Sequence, residues 1–216
     1  MQEFICVTGM ILRQMPVGEY DRRICLLTKE RGKIAAFARG ARKPGSKMAA
    51  ATNPFSFGIF KLYEGKNSYT VAEADIQNYF EALRSDYIGA YYGLYFAELA
   101  DYYTRENNDE RQMLKLIYQS LRALCAPSLD DRLVKCIYEI KAIAVNGEFP
   151  GLPTDRLVGE SAAYAVEYIV ASPIEKLYTF TVTDEVLVEL EALCTLYRTR
   201  FIEKELKSLE ILQTLC

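Results

Sequence analysis

The nine residues KIAAFARGA, Lys33 to Ala41, alternate two kinds of side chain. In an extended strand Lys33, Ala35, Phe37 and Arg39 share one face, and Ile34, Ala36 and Ala38 share the other. The second face is small and apolar and suits a tight barrel interior. The first interleaves two cations with an aromatic ring and suits water or a ligand. Runs of the same kind lie on both sides: FICVTGMIL from Phe4, RICLLT from Arg23, PFSFGIFKLY from Pro54 and SYTVAEA from Ser68. Turn signals divide them at Pro16-Val17-Gly18, Glu30-Arg31-Gly32, Pro44-Gly45-Ser46 and Glu64-Gly65-Lys66-Asn67. Five short strands in this length predict a small closed β-barrel. An OB-fold and an SH3-like barrel both satisfy the pattern.

From about Asp75 the period becomes helical. The spacing predicts a short helix over 75–84 and amphipathic helices over 86–104, 109–125 and 129–145. Ser128 is a candidate cap for the last of these. After the turn at Pro150-Gly151-Leu152-Pro153, a helix is expected near 160–171 and a long one over 184–207, capped by Thr183 or Asp184. The fold class is therefore α+β, a β-barrel followed by an all-helical part, with domains at 1–78 and 79–216. The tyrosines crowded between Tyr87 and Tyr103 read as core, because aromatic rings at helical spacing usually pack inward.

The 216 residues include no histidine and no tryptophan, and half are hydrophobic. Lack of histidine removes Ser-His-Asp triads, Cys-His dyads and imidazole metal sites. Neither GxxxxGK[ST] nor GxGxxG occurs. The six cysteines form no CxxC pair, so disulfides and a zinc site are not expected, and the thiols read as small buried hydrophobes. Met1 to Gln14 lacks the features of a signal peptide, and no apolar run is long enough for a membrane span. The expectation is a cytoplasmic protein, nucleoid-associated if it binds DNA, with no membrane contact and no cofactor.

Charge is unevenly placed. Between Arg22 and Lys47 nine basic residues stand against the single acid Glu30, which marks this part of the chain as attractive to a polyanion. The candidate nucleic-acid-binding residues are Arg22, Arg23, Lys33, Phe37, Arg39, Arg42, Lys43 and Lys47. The cations would neutralise phosphates, and a base stacked on Phe37 would add about 1–3 kcal/mol. Phe37 reads equally as a ring covering the barrel mouth. Two other classes fit the residues. A protein-interaction scaffold would use the basic barrel to hold an acidic partner. An enzyme would have to rely on a cluster such as Asp21 beside Arg22 and Arg23, where the acid reads better as orienting the arginines or capping the turn. The expectation is that the chain is not an enzyme.

Val7 to Lys47 closely resembles the start of the RecO family of bacterial recombination mediators. The matching elements are Gly18-Glu19-x-Asp21-Arg22, Leu26-Leu27-Thr28-x-Glu30-x-Gly32-Lys33, and Ala38-Arg39-Gly40-Ala41-Arg42 with Ser46. Pro54-Phe55 and the aromatic run after it also fit. The helical half is similar through Tyr95-x-x-Glu98-Leu99 and Leu206-Lys207-Ser208-Leu209. The resemblance implies an N-terminal OB-fold and a helical C-terminal domain. It also implies binding of single- and double-stranded DNA, annealing of complementary strands, and RecA loading onto SSB-coated strands together with RecR. Binding of the acidic C-terminal tail of SSB is implied as well. The chain is expected to be a monomer. On the helical half, Arg132, Lys135 and Lys141 are the candidate cations for that tail. Many family members carry a four-cysteine zinc module after the position of Asn146-Gly147-Glu148-Phe149-Pro150. Gly151 to Tyr168 contains no cysteine, so zinc is not expected.

Overall fold

The computed structural model describes residues 4–66 and 68–215. Five strands come first: β1 (Phe4–Val17), β2 (Asp21–Thr28), β3 (Gly32–Ala38), β4 (Phe57–Glu64) and β5 (Tyr69–Asn78), with a short helix α1 (Met48–Ala51) between β3 and β4. The strands close into a barrel in the order β1-β2-β3-β5-β4, β4 returning to β1. All neighbours are antiparallel except β3 and β5, which run parallel through Ala36–Tyr69 and Phe37–Thr70. The order and the single parallel seam are those of an OB-fold and exclude the SH3-like alternative.

The alternation of the third run sets its faces as expected. Ile34, Ala36 and Ala38 are buried with Val7, Ile11, Ile24, Leu26, Phe60, Leu62 and Val71 in the barrel core. Where the β3–β5 seam is short, the segment after residue 104 completes the edge. Lys33 N–H donates to Arg105 O at 3.0 Å and Asn107 N–H to Arg31 O at 2.9 Å. Gly32 makes this approach possible: its φ is +66°, and a Cβ there would run into the Arg105 carbonyl.

The helices are α2 (Ala82–Ser85), α3 (Tyr87–Tyr103), α4 (Arg111–Leu124), α5 (Asp131–Val145), α6 (Glu160–Ala171), α7 (Asp184–Phe201) and α8 (Lys207–Leu215). The chain forms two compact units. One holds the barrel and 97–114, the other 88–96 and 115–216. In the second unit α5 is the central element. Leu133, Val134, Ile137, Tyr138, Ile140 and Ile143 are all buried, and α6 and α7 pack against it. Tyr138 stacks on Phe96 with centroids 4.3 Å apart and donates to its carbonyl at 2.7 Å.

Four expectations need correction. Residues 75–78 continue β5 rather than opening a helix, because Glu73, Asp75 and Gln77 face water while Ala74, Ile76 and Asn78 turn inward, a period of two. The predicted helix over 184–207 is two helices, since the chain leaves helical geometry at Ile202 and turns so that Leu206, Leu209 and Leu212 are buried. The cap of α5 is Asp130, whose carboxylate accepts Arg132 N–H at 2.7 Å, and not Ser128. Tyr92, Tyr95 and Tyr103 are core residues, but Tyr87 is exposed. At α7, Thr183 is the cap.

Candidate nucleic-acid interface

Two segments meet at one rim of the barrel. The β1–β2 turn and the loop after β3 are joined by three hydrogen bonds. Gly40 N–H donates to Asp21 Oδ1 at 2.7 Å, Arg42 N–H to Tyr20 O at 2.8 Å, and Arg42 Nη1 to Gly18 O at 3.1 Å. Asp21 thus anchors the loop. Lys43 Nζ lies 5.6 Å from the centroid of the Tyr20 ring, a cation–π distance. The loop cations are therefore carried on a tied-down scaffold rather than a free tether.

The eight predicted residues do not all play one part. Arg23, Arg39, Arg42, Lys43 and Lys47 are exposed. Arg23 sits across from Met15 on β1 and Phe37 on β3, so the three form one cross-strand row on the outer face. Phe37 in that row is half-buried. Among the described residues Arg23, Arg39 and Lys47 make no ion pair. Arg22 points elsewhere: its Nη1 donates to Ala49 O at 2.7 Å, Thr52 Oγ1 at 2.8 Å and Asn53 Oδ1 at 3.1 Å, holding the end of α1. Lys33 is also engaged. Its ammonium lies 2.9 Å from Asp101 Oδ1 and also donates to the Asp101 carbonyl.

Asp101 belongs to the last turns of α3 and was not legible as part of the site. Besides Lys33 it binds Arg13, with Nε to Oδ2 at 3.1 Å, and accepts from Cys25 Sγ at 3.3 Å. Burial disfavours the Asp101 charge, but the hydrogen bond and charge of Lys33, aided by Arg13, outweigh it and hold its pKa below the usual carboxylate range. Cys25 is pushed up to about 12, mainly by burial and then by the Asp101 charge, so it is an inert thiol. A cavity of about 310 Å³ between Arg13, Arg23, Lys33, Asp101 and Glu106 marks where the cationic face gives way to acid.

The three cations predicted on the helical half separate in the same way. Arg132 and Lys135 line a cavity of about 490 Å³ with Arg198, Tyr92, Leu209 and Leu212. Arg132 is held by Glu191 through Nε at 3.1 Å and Nη2 at 2.5 Å. Below it lies a buried network in which Glu139 accepts from Tyr95 at 2.9 Å and Arg198 at 2.8 Å, with the Lys135 ammonium at 3.5 Å. Arg198 carries no spacing signal that would have linked it to α5. Lys141 is not part of this cavity's lining. Its buried ammonium donates to Val170 O and Ser172 O, both at 2.7 Å, and closes the carboxyl end of α6. Burial lowers its pKa. Among the described residues no three of Cys, Asp and Glu are grouped so as to hold a metal ion, and no helix is long and apolar enough to cross a membrane.

A closed five-stranded barrel whose tied rim presents arginines and lysines defines an OB-fold protein with a basic face. Residues 1–80 match the family model described as Recombination protein O N terminal, and 84–156 match Recombination protein O C terminal. The chain is similar to the DNA repair protein RecO of Acetivibrio thermocellus, 27% identical over 98% of this chain and 97% of that one. It is 27% identical to the Clostridium novyi protein of that name over 94% and 91% of the two chains. With the Bacillus subtilis protein it shares 32% identity over 67% of this chain and 56% of that protein. The chain belongs to the RecO family.

Proposed function

We propose that this chain is a recombination mediator in DNA repair that binds DNA at the barrel rim and acts without covalent chemistry. The observation that carries this reading is the rim itself: Arg23, Arg39, Arg42, Lys43 and Lys47 exposed around hydrogen-bonded turns. Membership of a family whose relatives are DNA repair proteins supports the repair role. Cations spaced along a rim neutralise phosphates of single or double strands without reading base edges, so binding is independent of sequence and steeply salt-dependent. With phosphates of two strands neutralised at once, complementary strands meet with less mutual repulsion and anneal without an energy source. Arg22 and Lys33 serve this surface from behind, the first by fixing α1 and the second through Asp101.

The same reading assigns the partners. The cavity bounded by Arg132, Lys135 and Arg198 over Tyr92, Leu209 and Leu212 suits the acidic, apolar C-terminal tail of SSB. Lys141 is left out of that pocket, because two carbonyls occupy its ammonium. RecR would join the complex for RecA loading at the nucleoid, and neither zinc nor another cofactor enters the proposed steps. Charge reversal tests the reading. The double variant Arg39→Glu/Arg42→Glu is expected to lose oligonucleotide binding with little change in thermal melting, since both residues are exposed and the change gives up one surface side-chain hydrogen bond, from Arg42 to Gly18 O, while the Arg42 and Gly40 backbone bonds stay. Retained binding would place the DNA elsewhere.

A further inference from the structure

A further groove lies in the second compact unit, apart from the Arg132 cavity, and its charged lining residue is an acid. About 930 Å³ of space lies between the outward side of α6 and the chain that returns after the 3-10 turn at Ile174–Lys176. Tyr164, 70% exposed, forms one wall. Tyr168, one turn further along α6, meets Phe180 of the returning chain edge to face at 5.2 Å and 79°, with Val182 and Val186 adding apolar surface. Among the described residues Glu160 is the charged member of the lining, and Lys176 lies beside Tyr168 at its edge. Between Glu160 and Glu191 the chain has seven acids and one base, Lys176; Glu175 is paired with Lys115 and Glu191 with Arg132, and the other five still outnumber the base. Nucleic acid and acidic peptides are repelled from such a groove.

Backbone geometry narrows the occupant. Among the described residues, Phe180, Thr181 and Val182 make no backbone hydrogen bond to another part of the chain. They are irregular chain beside an aromatic trough, and their backbone donors and acceptors are open to a peptide laid along it.

We propose that this groove binds an extended basic segment of a partner protein. Aromatic or branched side chains of the segment pack on Tyr164, Tyr168 and Phe180, and its lysines or arginines face Glu160 and the surrounding acids. The site is independent of the barrel rim, so it stands or falls separately from the DNA reading.

The test uses a fluorescein-labelled peptide alternating Lys or Arg with Phe or Val, titrated into the full chain, beside a control peptide with Glu in place of each cation. Saturable binding of the basic peptide alone is expected. Tyr164→Ala is expected to weaken it about tenfold, as for an aromatic anchor, and Glu160→Gln by a smaller factor. Glu203→Gln, an exposed acid outside the lining, should leave it unchanged. Thermal melting of each variant confirms that it is folded. Equal binding by the acidic peptide, or equal loss in Glu203→Gln and Tyr164→Ala, would overturn the proposal. So would a concentration-dependent dimer that Tyr164→Ala dissolves, since the groove would then belong to a second copy.

Discussion

Arg13 and Lys33 reach the same carboxylate from the two strands that flank β2, and Asp101 thereby holds two cations that would otherwise extend the basic face. Asp101→Asn is expected to release both cations, and the salt dependence of single-strand binding should steepen by up to about 1.4 in logarithmic slope, about 0.7 per phosphate engaged. An unchanged slope would mean that the pair has only a structural role. The same residue predicts a pH effect. Its folded pKa is depressed, so the unfolded chain takes up the proton first as pH falls. The stabilisation is fully present above the ordinary carboxylate value of about 4 and is lost as pH drops through the folded value. Thermal melts from neutral pH to about pH 3 should therefore fall more for the wild type than for Asp101→Asn.

At the scale of elements, Lys141 illustrates how a cation on a helix can be structural. It ends α6 by satisfying two carbonyls that the helix leaves without partners. Lys141→Met is expected to destabilise the protein by about 1–3 kcal/mol in urea denaturation, the range for leaving buried acceptors unpaired. Binding of an acidic SSB-tail peptide should survive this change and be lost in Arg132→Glu. From sequence, Lys141 gave no sign of its partners, because Val170 and Ser172 lie on another element, whereas Glu139 stands four residues after Lys135 on the same helix, a spacing at which an ion pair can be read directly. The barrel was legible where alternation is strict: Ile34, Ala36 and Ala38 turned inward as expected. It was not legible at the end of β5, where outward acids and inward Ala74 and Ile76 mimic a polar helix start. Helix α1 was hidden because MAAA is too short for any period to show.

Across the whole molecule, opposite charges occupy different elements. The rim of the barrel is cationic, and the segment from Glu160 to Glu191 is acidic. A polyanion is drawn to one part of the chain and repelled from another. The segment carrying Arg39 to Lys47 was legible from its charge and glycine content alone. Its coupling to Asp21, Tyr20 and Gly18 was not, because those hydrogen bonds join turns that are separate in sequence.

The most direct test of this account is fluorescence anisotropy of a labelled single-stranded oligonucleotide at several salt concentrations, comparing the wild type with Arg39→Glu/Arg42→Glu. The account predicts tight wild-type binding that weakens steeply with salt, and loss of binding in the double variant while its melting temperature holds. Wild-type binding that ignores salt, or a double variant that binds as well as the wild type, would contradict it.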